Sequence, residues 1–155
     1  MKRAILQLGI RGYRLLQRQL NAASIGVKGL VINPENEILL VEHTYCDGWY
    51  FPGGGVKSGE TPFEALTREL EEETGVIVTA PCELYGIYYQ SVGGVNDYPI
   101  LFIVTTFTTR AIRLPNLEIK QMRWFSLNDL PPNITPCTAQ RLNEIFHKAP
   151  QRPIW

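Results

Sequence analysis

The chain has 155 residues, of which 45% are hydrophobic and 19% charged, so one packed domain is expected and a disordered chain is excluded. Fifteen basic and fifteen acidic residues balance to zero net charge, which argues against stable nucleic-acid binding through a basic surface. Three widely spaced cysteines without a CxxC pair indicate neither a disulfide framework nor a zinc site, and no apolar run approaches the roughly 20 residues that span a bilayer. We therefore expect a cytoplasmic protein without a membrane partner.

The first elements in the chain are a weak helix and two strands. Residues 1–20 have a helical spacing that two glycines weaken, and we expect an N-terminal extension that packs on the domain or on a second copy in a homodimer. Two strand-like runs at 24–33 and 37–43 flank the turn sequence NPEN. This pattern predicts a β-hairpin.

The next element, at 62–74, has the strongest helical signal in the chain. Thr61 is a good N-cap, Pro62 suits the first helical position, and Glu64 completes a capping box with Thr61. Gly75 stands where a left-handed C-cap belongs. The local sequence therefore predicts both ends of this helix.

The second half of the chain is rich in strands and ends in a helix. The β-rich runs are 76–90, 98–110 and 118–130, and a loop is expected at 91–97. A last helix is expected at 136–148, before a tail at 151–155 that is either frayed or docked by Trp155. This order predicts one α/β domain at 21–150 with a mixed β-sheet.

Three glutamates of the predicted helix at 62–74 share one face. Glu69, Glu72 and Glu73 stand at i, i+3 and i+4, where like charges destabilise a bare helix, and Arg68 alone cannot neutralise them all. A hard divalent cation such as Mg²⁺ or Mn²⁺ prefers carboxylate oxygens and would relieve this repulsion. The alternative is a solvated acidic surface without a metal.

A glycine-rich loop, Gly53 to Gly55, precedes the acidic helix. Glycines let the backbone turn sharply and approach a ligand closely, and carbonyl oxygens of this loop would complete a cation's coordination. Loop and helix together favour metal-assisted hydrolysis of a phosphate-containing substrate.

The segment from Gly54 to Val76 carries a recognisable motif. It reads Gly54, five residues, Glu60, seven residues, Arg68-Glu69-Leu70, one residue, Glu72-Glu73, one residue, Gly75-Val76. This resembles the Nudix box, GX5EX7REUXEEXGU with U an aliphatic residue, and every specified position matches. The predicted hairpin before the box and the sequence RWFSLNDLP after it also resemble Nudix domains, so the likeness covers 24–148.

The resemblance implies an α/β/α sandwich that hydrolyses a nucleoside diphosphate linked to another moiety, with Mg²⁺ or Mn²⁺. The residues that it assigns to metal binding are Glu69, Glu72, Glu73 and Gly53. It also implies that Arg68 orients the catalytic glutamates Glu69 and Glu72 through ion pairs. Glu60 would be the partner of Arg68, and Gly54 and Gly75 would support the motif.

The general base stays open in the resemblance, because family members use either a box glutamate or a carboxylate from a later loop. Glu118, six residues before Trp124, is the best later candidate, and Asp97 is a weaker one. Position 121 is Gln121, where many Nudix domains have a second acid, and this favours Glu118.

The substrate lies outside what the box specifies. A nucleoside triphosphate giving the monophosphate and pyrophosphate is our expectation, with ADP-ribose or a nucleotide sugar as the alternative. Trp49, Phe51 and Tyr88 flank the loop and the helix, and each is either a base-stacking residue or a core residue. A non-catalytic nucleotide-sensing module and a diphosphate isomerase are the alternatives of other classes.

Overall fold

The computed structural model describes residues 23–155, together with Gly9 and Gly12. Apart from these two glycines, the predicted extension at 1–20 lies outside the described residues, and its packing stays a prediction. Within the described residues, no helix combines the length and the apolar character needed to cross a membrane.

Strands outnumber helices in the described chain. The elements are β1 Ser24–Val31, β2 Glu37–His43, β3 Trp49–Tyr50, α1 Pro62–Thr74, β4 Val76–Val78, β5 Glu83–Ile87, β6 Gln90–Val92, β7 Val95–Val104, β8 Phe107–Thr109, β9 Ile119–Ser126 and α2 Pro136–Phe146. The main sheet has β7 between a parallel β1 and an antiparallel β5, and β6 also pairs with β7. A second, antiparallel sheet has the order β3-β2-β9, and β4 pairs with β8.

The strands separate two hydrophobic cores, because successive side chains of a strand point to opposite faces. On β1, Val27 and Val31 belong to the core that contains Leu66 of α1. Leu30 belongs instead to the core that contains Leu142 of α2. The layers are therefore helix, sheet and helix, which confirms the expected α/β/α sandwich with a mixed sheet.

Helix α1 begins and ends where its sequence predicts. The Thr61 hydroxyl accepts a hydrogen bond from the Glu64 N–H at 3.2 Å, and the Glu64 carboxylate accepts one from the Thr61 N–H at 2.8 Å. At the other end Gly75 is left-handed, with φ of 73°, and a Cβ there would lie 2.2 Å from the Arg110 carbonyl oxygen. Local capping chemistry thus fixes the length of the helix that carries the acidic residues.

The predicted hairpin between β1 and β2 is wrong in its pairing. The turn does form, since Asn36 N–H donates to Asn33 O and Asn33 N–H donates to Glu37 O, both at 3.0 Å. After one isolated bridge between Ile32 and Ile38, however, β1 pairs with β7 while β2 pairs with β3 and β9. The turn therefore connects two strands that belong to different sheets.

The loop predicted at 91–97 is also wrong, because most of this segment is strand. Gly93 and Gly94 have φ of 63° and 81° and connect β6 to β7 as a two-residue turn. Two successive residues with positive φ are what a tight hairpin turn requires. The glycine pair was therefore the local signal for this hairpin.

The C-terminal tail is docked on the domain. Tyr89 N–H donates to Pro153 O at 2.8 Å, and Trp155 N–H donates to Tyr89 O at 2.9 Å. The Trp155 ring meets the Tyr88 ring edge-on, with centroids 5.3 Å apart. Of the two alternatives for the tail, the structure therefore shows the docked one.

Arg141 of α2 makes a hydrogen bond to the backbone of the tail. Its side chain is fully buried and donates to the Glu144 carboxylate at 2.6 Å and to the Ile154 carbonyl at 2.9 Å. Its guanidinium carbon lies 4.3 Å from the centre of the Tyr88 ring. The charge of Arg141 is thus paired within the core, and the tail supplies one of its acceptors.

Candidate active site

The glycine-rich loop runs along the edge of β1. Val27 N–H donates to Gly54 O at 2.8 Å, and Gly29 N–H donates to Pro52 O at 2.9 Å. Gly53 has φ of 135°, and a Cβ there would lie 2.2 Å from the Val27 carbonyl oxygen. Only glycine can therefore occupy position 53 in this backbone path.

Gly54 brings the loop against a carboxylate of α1. A Cβ at this position would lie 2.6 Å from the carboxylate carbon of Glu69. At the adjacent Gly55, by contrast, a Cβ would have no neighbour within 4 Å among the described residues. The space beside Gly54 is thus filled by the Glu69 carboxylate.

Arg68 connects the helix to the loop. Its Nε and Nη2 donate to the two carboxylate oxygens of Glu60 at 2.6 and 2.9 Å, and Nη2 also donates to Gly55 O at 3.1 Å. Its Nη1 donates to Glu69 at 2.6 Å and reaches Glu72 at 3.4 Å. The hydrogen bonds from Arg68 lower the pKa of Glu60 to about 2. The Arg68 guanidinium and the Glu60 carboxylate therefore form a fork of two hydrogen bonds, and Arg68 makes a further hydrogen bond to Glu69.

Glu73 is the buried carboxylate of the helix face. It is 5% exposed and accepts a hydrogen bond from the Gly53 N–H at 2.8 Å. Burial raises the pKa of Glu73 to about 7; the Lys28 charge and the Gly53 N–H oppose this rise, and the Glu69 and Glu118 carboxylates add to it. Lys28, Glu69 and Glu118 are therefore all close enough to Glu73 for their charges to affect its carboxylate.

Lys28 of β1 also belongs to this region, although sequence reasoning missed it. Its ammonium donates to the Gly53 carbonyl at 2.8 Å and reaches the Phe51 carbonyl at 3.4 Å. The available signal was that Lys28 is the single charged residue in the strand-like run 24–33. A lone charge in an otherwise apolar strand needs a specific partner.

His43 lies at the end of β2, close enough to Lys28 for their charges to interact. Its ring stacks on Tyr45 with centroids 4.9 Å apart, and it is 6% exposed. Burial, followed by the Lys28 charge, lowers the pKa of His43 to about 4. Its Nδ1 has no hydrogen-bond partner among the described residues. The imidazole is therefore neutral at neutral pH.

Glu118 is held by its backbone and exposes its side chain. Its carbonyl oxygen accepts from Thr44 N–H at 2.8 Å, and its own N–H donates to the Asn116 side chain at 2.9 Å. Gln121, three residues on, donates to the Glu42 carboxylate at 2.6 Å. Glu118 is therefore anchored next to the region of Glu73 with its carboxylate open to solvent.

The three predicted stacking residues lie in the hydrophobic core. Trp49 is 4% exposed, and Phe51 and Tyr88 are 1% exposed each. Rings buried to this extent offer no face to a substrate, so the structure favours packing, and their stacking role stays an unsupported prediction. Exposed rings occur instead at Tyr89 and Tyr98, whose centroids are 5.7 Å apart.

Two of the three predicted glutamate ligands, Glu69 and Glu73, lie against the glycine-rich loop. Within residues 23–155, no three histidine, cysteine or acidic side chains are already gathered as a preformed metal-binding group. Glu69 lies against Gly54 and Glu73 against Gly53, whereas the side chain of Glu72 is 58% exposed. Carboxylates beside a loop carbonyl are the donors that Mg²⁺ and Mn²⁺ prefer, so this set of residues fits such a cation chemically.

A surface cavity of about 380 Å³ lies away from these carboxylates. Its lining residues are Phe63, Val78, Thr79, Ala80, Pro81 and Cys82. None of them is a predicted site residue, and all but Thr79 are apolar or weakly polar. This cavity therefore does not mark the acidic site.

Comparison with known proteins identifies the family. A family model described as the NUDIX domain matches residues 23–145. The MutT NUDIX hydrolase from Burkholderia pseudomallei is 23% identical, with a TM-score of 0.70 over 79% of this chain and 98% of that one. The MutT protein from Methanosarcina mazei Go1 is 25% identical, with a TM-score of 0.67 over 81% and 94%. A UDP-X diphosphatase is 23% identical, with a TM-score of 0.64 over 82% and 64%.

The family model spans the loop, the acidic helix and both cores. The structural neighbours share the fold over most of the described chain. Together with the complete box and its Arg68–Glu60 fork, these matches show that the chain belongs to the NUDIX domain family and is a Nudix hydrolase.

Proposed function

We propose that this enzyme cleaves a nucleoside diphosphate linked to another moiety, by attack of water on phosphorus with Mg²⁺ or Mn²⁺. The observation that carries the proposal is the contact of Gly53 and Gly54 with the Glu73 and Glu69 carboxylates. When bound, a divalent cation would screen phosphate charge and lower the pKa of a water molecule. Hydrolysis of a phosphoanhydride needs both effects.

The side chains of the box have separate tasks in this proposal. Arg68, fixed by Glu60, orients Glu69 against the loop. The buried Glu73 carboxylate accepts a hydrogen bond from the Gly53 N–H, which fixes its position beside the loop. Glu72 is the exposed member of the set and faces the solvent from which a substrate arrives. The three glutamates Glu69, Glu72 and Glu73, with the Gly53 carbonyl, would hold the cation.

We assign the general base to Glu118. Its carboxylate is exposed, its backbone is anchored, and its charge acts on Glu73. The weaker candidate, Asp97, has both carboxylate oxygens occupied, one by the Ser24 hydroxyl and one by the Gln90 amide. An occupied carboxylate is a poorer proton acceptor than a free one.

The substrate class is the finer part of the proposal. Our first choice is a nucleoside triphosphate, which would give the monophosphate and pyrophosphate. The neighbour named UDP-X diphosphatase supports a nucleotide sugar as the second choice, although this chain covers only 64% of that protein. ADP-ribose belongs to the same second group.

The decisive experiment compares Glu72→Gln with Glu71→Gln on a panel of nucleoside triphosphates, nucleotide sugars and ADP-ribose with Mg²⁺. Glu71 is the adjacent control, because it is about equally exposed and pairs with Arg110 at 3.1 Å. We expect Glu72→Gln to lower turnover by about a hundredfold or more, as for loss of a metal ligand. Glu71→Gln should keep near-normal turnover.

Three outcomes would contradict this function. Equal turnover in the wild type and Glu72→Gln would remove the metal-ligand role. No turnover on the whole panel would favour the nucleotide-sensing module. Equal losses in both variants would show that the effect comes from helix charge and not from a site.

The role of Glu118 has its own test. We expect Glu118→Gln to lower kcat while the melting temperature stays close to that of the wild type, because the side chain is exposed. The pH–rate profile should lose the limb that reports the base. An unchanged rate and profile would exclude Glu118 as the base.

A further inference from the structure

The Lys28 ammonium binds the oxygen that the proposed function assigns to the metal. Lys28 Nζ lies 2.8 Å from the carbonyl oxygen of Gly53 and 3.4 Å from that of Phe51. The same Gly53 gives its N–H to Glu73 at 2.8 Å. One residue, Gly53, thus contacts an internal cation through its carbonyl oxygen and a buried carboxylate through its N–H.

The position of Lys28 is built by the fold. Its neighbours Val27 and Gly29 both donate backbone hydrogen bonds to the glycine-rich loop. The loop therefore cannot slide along β1 to separate the Gly53 carbonyl from the lysine. The Lys28 charge also acts on Glu73 and on His43, so it faces the acidic site and not bulk solvent alone.

Two cations at one carbonyl oxygen repel each other strongly, because they are only a few ångströms apart. A divalent cation at Gly53 O would therefore displace the ammonium from this oxygen. Lys28 has a flexible four-carbon stem that permits such a movement.

We propose that Lys28 is a positioning residue that competes, as an internal counter-ion, with the divalent cation for the Gly53 carbonyl oxygen. This rests on the proposed function, which places a cation at that oxygen. Lys28 keeps the loop and Glu73 in register, and it lowers the affinity of the site for metal. Metal binding and release of Lys28 from Gly53 are therefore coupled.

The test measures Mn²⁺ binding to the full chain without nucleotide, by the electron paramagnetic resonance signal of free Mn²⁺. Lys28→Met and Lys28→Gln should each bind Mn²⁺ about tenfold more tightly, because the competing charge is gone. Lys28→Arg keeps the charge and should stay close to wild type. Lys57→Met is the matched control, because Lys57 is exposed between the glycine-rich loop and α1 and makes none of the Gly53 contacts described above.

A second readout separates competition from structural damage. Without Mn²⁺, Lys28→Met should melt at a lower temperature than the wild type, because the Gly53 and Phe51 carbonyls lose their donor. Saturating Mn²⁺ should raise the melting temperature of Lys28→Met more than that of the wild type. Circular dichroism checks that the variants are folded, and Lys28→Gln serves if Lys28→Met is not.

Unchanged or weaker Mn²⁺ binding in folded Lys28→Gln would overturn the competition. Equal tightening in Lys57→Met would also overturn it, because the effect would then be one of general charge. A wild type that binds no Mn²⁺ would contradict the proposed function itself, and the two failures are thereby distinguished.

Discussion

The absence of a Cβ at Gly53 and Gly54 lets the glycine-rich loop lie close to β1 and to the helix of the Nudix box. A Cβ at Gly53 would collide with the Val27 carbonyl, and a Cβ at Gly54 would collide with the Glu69 carboxylate. At the adjacent Gly55, a Cβ would enter open space among the described residues. The resemblance to the box predicts Arg68, the glutamates and Gly53, just before the box, as site residues. It could not identify Lys28, because the partner of Lys28 is a backbone carbonyl 25 residues further on.

The contrast between two of these glycines gives a prediction for activity. Gly54→Ala should lower turnover by about tenfold or more, because its Cβ would displace the Glu69 carboxylate from the loop. Gly55→Ala should behave as the wild type, since its Cβ would enter open space. Steady-state kinetics of both variants, with melting temperatures to verify folding, tests this. Equal activities would contradict a steric role for position 54.

His43 gives a prediction for the pH dependence of stability. Its pKa is about 4 in the folded chain and about 6.5 in an unfolded one, so between these values the unfolded state binds more protons. Its stabilising contribution is present above pH 6.5 and is lost as the pH falls toward 4. The slope is at most about 1.4 kcal/mol per pH unit for one proton.

The variant His43→Phe keeps a ring in the same place and removes this titration. Urea denaturation from pH 7 to pH 4 should show that the wild type loses more stability than His43→Phe over this range. At each pH, the free energy of unfolding of His43→Phe is subtracted from that of the wild type. This subtraction removes the contribution of Glu73, whose raised pKa makes the protein more stable as the pH falls. Parallel curves for the two proteins would contradict a buried, neutral His43.

Whole elements differ in how far their own sequence determines them. Helix α1 was predicted with both ends, because Thr61, Glu64 and Gly75 act on backbone groups within the same helix. The pairing of β1 was not predicted, because its partner β7 begins more than 60 residues later. Turn chemistry at 33–37 does not reveal which sheet each strand joins. Nonlocal pairing is thus the part of the fold that a single sequence leaves open.

The C-terminal end of α1 gives a prediction at this scale. Gly75→Ala and Gly59→Ala both place a Cβ on a residue with positive φ, 73° and 85°, which costs about 1–2 kcal/mol. Gly75→Ala should lose about 2 kcal/mol more, because its Cβ would also collide with the Arg110 carbonyl at 2.2 Å. Chemical denaturation measures both free energies of unfolding. Equal losses would show that the collision relaxes without cost.

At the scale of the whole molecule, the C-terminal tail packs on the core that contains Leu142 of α2. Trp155 packs on Tyr88, and Arg141 donates to the carbonyl of Ile154. The sequence left the state of the tail undecided, because docking depends on β-strand residues far from it in the chain. The structure shows that the tail closes the core beside α2 and lies apart from the acidic residues of the box.

This arrangement predicts that the tail contributes to stability and not to catalysis. Trp155→Ala should lower the free energy of unfolding by about 2 kcal/mol, because a packed ring is lost. Ile154→Ala, at an exposed neighbour, should change it by less than about 0.5 kcal/mol. Turnover per folded molecule should be unchanged in both. A drop in kcat for Trp155→Ala at a temperature where it is folded would contradict this separation.

The backbone hydrogen bonds between the loop and β1 have a consequence for solubility. On the side of β1 opposite β7, the N–H groups of Val27 and Gly29 donate to the carbonyls of Gly54 and Pro52. On the same side, the Ile25 carbonyl accepts a hydrogen bond from the Val56 N–H. An open strand edge would pair with other chains and promote aggregation. The glycine-rich loop and its flanking residues therefore shield this edge, so substitutions that release them would expose the protein to self-association.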